Sequence, residues 1–99
     1  MWAVLLMLGL TATPHVAYAP TKVTLVARRP YSSDDKWIRL ALWCGDDLVT
    51  SSERQVLPRG GSVYTLTATL SEACVYTAEV TVEKASGATE SKRTIVELH

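Results

Sequence analysis

SEACVYTAEVTVE, residues 71–83, places Cys74, Tyr76, Ala78, Val80 and Val82 at every second position, with Val75, Thr77, Glu79, Thr81 and Glu83 between them. Successive side chains of a β-strand point to opposite faces, so the segment reads as a strand with one apolar and one polar face. Cys74 shares its parity with the core residues.

The same period of two runs outward in both directions. In Ser62 to Leu70, SVYTLTATL, the residues Tyr64, Leu66, Ala68 and Leu70 alternate with Val63 and three threonines. KVTLVARR, from Lys22 to Arg29, places Val23, Leu25 and Ala27 on one face and stops at Pro30. YSSDD then reads as a loop, and KWIRLALWC (Lys36 to Cys44) as a strong strand ended by the turn residues Gly45-Asp46-Asp47. LVTSSERQVL is polar through its middle, which suits an exposed edge strand, and Pro58-Arg59-Gly60-Gly61 breaks it. Downstream, EKASGATES with Gly87 at its centre leads into KRTIVEL, a hairpin joining the last two strands. Six or seven short strands separated by turn signals, with no sustained helical period, predict an all-β fold: a small antiparallel sandwich or barrel.

The first nineteen residues carry no charge, whereas all ten basic and all ten acidic residues follow them. The apolar run from Trp2 to Leu10 is far short of the roughly 20 residues of a membrane-spanning helix. It leads to Ala17-Tyr18-Ala19, a small-x-small site, so residues 1–19 are expected to be a signal peptide and residues 20–99 a single exported domain, secreted or periplasmic. The missing basic residue near the start and Pro20 just after the cut depart from that pattern, and a buried N-terminal segment is the alternative. Cys44 and Cys74 both carry core parity at the end of a strong segment, and an even cysteine count in an exported chain predicts one disulfide between them. Closing that loop of about 31 residues is worth about 3–4 kcal/mol in the chain-entropy account.

Part of the chain resembles immunoglobulin-like domains. Trp43 followed by Gly45-Asp46-Asp47-Leu48 is similar to that family's core-tryptophan strand and turn, YTLTATL to the strand before its corner, and Glu72-Ala73 with Tyr76 to its tyrosine corner. The family's inter-sheet cysteine pair is absent, since Ala78 takes one of its places. Fibronectin type III domains lack that pair too, and YTAEVTVE resembles their tyrosine and alternating valines more closely. The resemblance implies an immunoglobulin-like or fibronectin-like sandwich with its own staple; a transthyretin-like or other Greek-key arrangement stays open, because strand spacing does not fix topology. Parity sets Trp43 on the face opposite Ile38, Leu40 and Leu42, unless a bulge turns it inward.

Net charge is zero, which gives nothing to steer the protein to nucleic acid or an anionic membrane. Arg28-Arg29 reads as a solvated strand end, and Asp34-Asp35 and Asp46-Asp47 as turn residues without the alternating carboxylates of a calcium loop. His15 falls in the expected leader and His99 is the last residue, so no histidine is placed as a base for the serines. These readings lead to the expectation of a domain without catalytic activity, metal or cofactor. It would be an interaction module recognising a protein or glycan, with an inhibitor or effector that blocks an enzyme through a loop as the alternative. The candidate contact surface is Trp37, Arg39 and Trp43, because Trp and Arg are enriched among binding hot spots; burial of either ring by a bulge or by the Tyr31 to Asp35 loop is the competing reading.

Overall fold

The segment of clearest alternation, Cys74–Lys84, forms the central strand of the larger of two sheets. In this computed structural model, which describes residues 8–58 and 62–99, the chain forms β1 (Gly9–Thr13), β2 (Val16–Ala17), β3 (Thr21–Arg28), β4 (Asp35–Cys44), β5 (Asp47–Gln55), β6 (Val63–Leu70), β7 (Cys74–Lys84) and β8 (Thr89–Leu98). The apolar run before Leu8 and the Arg59-Gly60-Gly61 breaker fall outside the described residues. One sheet has the order β1-β3-β6, the other β2-β8-β7-β4-β5. Every pairing is antiparallel except that of β2 with β8.

The inner faces are those the alternation predicted. Val23, Leu25, Ala27, Ile38, Leu40, Leu42, Tyr76, Ala78, Val80 and Val82 are all buried in one core between the sheets. β5 is the edge strand its polar middle suggested, and the β7–β8 hairpin turns at Gly87, whose φ of 89° favours a residue without a Cβ.

Two expectations are corrected. The described residues hold eight strands, not six or seven, and the two additions come from the segment expected to be a leader. β1 pairs along β3 and buries Leu10 in the core, and β2 pairs with the end of β8. The expected cleavage point before Pro20 lies between β2 and β3. The second correction concerns Arg29 and Asp35. Lys36 is an extra residue in the ladder between β4 and β7, where Asp35 opposes Lys84 and Trp37 opposes Glu83. That bulge moves Asp35 from the outward parity of Trp37 to the inner side, where it meets Arg29; both are buried, at 5% and 2% exposure.

Candidate functional site

Cys44 closes β4 and Cys74 opens β7, neighbouring strands of one sheet, and the two are joined as a disulfide with Cα atoms 6.2 Å apart. Both cysteines are half-buried. Cys44 lines an open hollow of about 120 Å³ together with Val49, Thr69, Leu70, Glu72 and Tyr76. The Tyr76 hydroxyl donates to the Glu72 carbonyl at 2.7 Å, which pins the turn between β6 and β7. Burial, and then the nearby Glu72 charge, push that phenol's pKa up, so it holds its proton and keeps donating. The hollow's single charged lining residue is a carboxylate, which leaves a thiolate formed there without cationic stabilisation.

The outer face of the five-stranded sheet carries Trp37, Arg39, Ala41 and Trp43 from β4. The β4–β7 register runs unbroken from Trp37 opposite Glu83 to Trp43 opposite Thr77, so the two tryptophans share this outer face. A bulge does occur beside Trp43, but its extra residue is Val49 of β5, and Trp43 is not turned inward. Both tryptophans are half-buried, which is neither the free exposure of an anchor nor the full burial of a core ring. Each lines a groove. Trp43 lies with Asp46, Thr77, Glu79 and Arg93 in a space of about 280 Å³. Trp37 lies with Arg39, Glu53, Thr81 and Glu83 in one of about 150 Å³. Glu79 and Arg93 are already paired across the first groove at 2.7 Å.

At the far end of the sandwich, Arg29 ties the sheets together. Its Nε and Nη2 donate to the two Asp35 carboxylate oxygens at 3.0 and 3.2 Å, and it also donates to Glu90. Lys84 Nζ adds a contact of 3.5 Å to Asp35. The hydrogen bond to Asp35 raises the guanidinium's pKa in spite of burial, and the Arg29 bond holds the Glu90 carboxyl below its ordinary range. Sequence reasoning missed this cluster, because the bulge that buries Asp35 leaves no mark in the alternation.

The two histidines come to the same edge. His15 accepts a backbone bond from Glu97 at 2.8 Å, and the His99 imidazole stands 3.8 Å from the Glu97 carboxylate. Among the described residues no three His, Cys, Asp or Glu side chains come together in a metal-binding group. Residues 1–7 and 59–61 contain none of these types.

No family model matches the chain, and no curated protein does. Solved structures do. The superoxide reductase (neelaredoxin) from Ignicoccus hospitalis superposes with a TM-score of 0.70 at 10% identity, covering 93% of this chain and 80% of that one. A putative superoxide reductase from Thermotoga maritima gives a TM-score of 0.62 at 13% identity, covering 93% of this chain and 85% of that one. At such identities the likeness establishes the fold alone. The expectation of a binding module without catalytic activity, or of a loop-borne inhibitor, is set aside on that likeness, because superoxide reductases stand among the matched structures. The span of 93% also exceeds what Pro20 to His99 could supply, so part of the segment before Pro20 belongs to the shared fold.

One-electron chemistry in proteins is commonly carried by haem, flavin, copper or non-haem iron, and imidazole and thiolate are donors that suit such metals. This chain does not fit such a centre. It has two histidines, one at each end of the β2–β8 edge, and both of its sulfhydryl sulfurs are bonded to each other.

Proposed function

We propose that the protein is an oxidoreductase whose electron-carrying group is the Cys44–Cys74 couple. The observation that carries this reading is the placement of a half-buried disulfide at the mouth of an open hollow, in a fold shared with reductases. The functional half of the argument is analogy at the level of fold.

The chemistry is thiol–disulfide exchange. Cys44 lines the hollow, so the thiolate of a small dithiol reductant attacks the Cys44 sulfur and displaces Cys74 as a thiolate. The reductant's second thiol then closes its own disulfide and releases Cys44. Two electrons and two protons enter the protein and the reductant leaves oxidised. With Glu72 nearby and no cation lining the hollow, the reduced form gains no electrostatic stabilisation, which makes the couple a reductant in preference to an oxidant.

Equilibration of the native protein with dithiol buffers tests the proposal. The expected potential lies above about −300 mV, the level below which structural disulfides sit. In Cys74→Ser, Cys44 is a free thiol, and incubation with the disulfide of a small monothiol should leave one half as a mixed disulfide on Cys44 and release the other half as a thiol. A potential below that level, or reduction only after unfolding, makes the bond a staple and ends the redox reading.

The finer architecture is also a proposal. The order β8-β7-β4-β5 against β1-β3-β6 supports an immunoglobulin-type arrangement, with β8, β7, β4 and β5 in the places of that fold's G, F, C and C′ strands. The Tyr76 corner supports it independently.

A further inference from the structure

The two grooves on the outer face of the five-stranded sheet carry the same set of side-chain types, with Gly45 as an added backbone wall in the one beside Trp43. Each holds one tryptophan, one arginine, two carboxylates and one threonine: Trp43, Arg93, Asp46, Glu79 and Thr77 in one, Trp37, Arg39, Glu53, Glu83 and Thr81 in the other. Both tryptophans lie on β4, six residues apart, which sets the grooves about 20 Å apart along the strand. At about 280 and 150 Å³ each is smaller than the roughly 300–1,000 Å³ of a pocket that encloses a small molecule. Two shallow subsites of like side-chain chemistry at that separation suit a long ligand that repeats its own chemistry and lays one unit in each.

We propose that this face binds a linear, uncharged polysaccharide. An indole offers an apolar plane to the C–H face of a sugar ring, while carboxylates and a guanidinium accept from and donate to its hydroxyls. The Glu79–Arg93 pair is in place before any ligand arrives, so less ordering accompanies binding. Charge selects against the other polymers. Two carboxylates to one arginine in each groove repel a polyanion, and the arginine sets a cost on a polycation. An extended peptide adds to sheet edges through its main chain, whereas β4 is already paired on both sides, with β5 and β7. The site is separate from the Cys44–Cys74 hollow and does not depend on the redox reading.

Affinity electrophoresis of the oxidised full chain through gels containing hydroxyethylcellulose, xylan, mannan or mixed-linkage β-glucan tests the proposal, with heparin and polylysine as charged controls. Retardation by at least one neutral glycan, persisting in high salt, is expected. Trp37→Ala and Trp43→Ala should each weaken it about tenfold or more, and the pair should abolish it. Val63→Ala, on the other sheet, should leave it unchanged. A short oligosaccharide that fills one groove should bind far more weakly than the polymer, because only the polymer engages both. Retardation by polylysine alone would identify a cationic peptide as the occupant and overturn the proposal. So would indifference to all four glycans, or glycan binding that survives loss of both tryptophans with the melting temperature unchanged.

Discussion

Arg29 and Asp35 show what a single inserted residue does. Lys36, the odd residue in the β4–β7 ladder, turns Asp35 inward, and the carboxylate is then fully buried against a guanidinium from the other sheet. Removing one partner of such a pair strands the other charge. Arg29→Met leaves Asp35 with only the 3.5 Å contact to Lys84, and a loss of about 3–5 kcal/mol is expected in urea melts. The double change Arg29→Met with Asp35→Leu should recover much of it, because the desolvation penalty disappears with both charges. Acid should act on the same cluster. Arg29 lowers the Glu90 pKa from 4.5, so Glu90's contribution is present in full above that value and is lost as pH falls through the lower, folded-state value. With a side chain 43% exposed the effect is screened and small, and in Arg29→Met that part of the acid dependence should vanish.

At the scale of elements, β1 is where composition and structure disagree. β3, β6 and β7 are legible because an apolar residue recurs at every second position and burial follows it, β4 because it is an apolar run broken only by Arg39, and β8 because its last four residues resume an extended pattern after the Gly87 turn. GLTAT and the two residues of β2 are too short to show a period, and their lack of charge matches an export leader as well as it matches a strand. The same limit applied to the site. The cysteine pair and the outward tryptophans followed from parity, whereas the buried Arg29 depended on a bulge, which breaks parity. Since β1 covers the edge of β3 and Leu10 enters the core, a chain that starts at Pro20 loses both. It should melt well below the full chain and, with the β3 edge unpaired, self-associate in size-exclusion chromatography. A monomer of undiminished melting temperature would show that the sheet needs only β3 and β6.

For the molecule as a whole, fold and chemistry separate. The sandwich superposes on superoxide reductases over nearly its full length, but the fold supplies positions and not donors. Imidazole and thiolate are the side chains that hold a redox metal with selectivity over hard cations. Here both sulfurs are spent on each other, and His99 has Glu97 and Tyr18 as its neighbours, with His15 at the opposite end of the β2 pairing. Reduction of the disulfide frees Cys44 into the hollow and Cys74 beside it, and among the hollow's lining residues Glu72 is the lone carboxylate and no histidine is present. Two thiols and one carboxylate, with no imidazole beside them, make a weak site for iron. The protein loaded with excess Fe(II) or Zn(II) and desalted should therefore retain well under one equivalent of either metal by elemental analysis, in the oxidised and the reduced state alike. Electron delivery by the reduced protein should be unchanged by a chelator and lost in Cys74→Ser. One equivalent of tightly held iron, with activity that a chelator removes, would return the redox reaction to a metal centre and take it away from the cysteine pair.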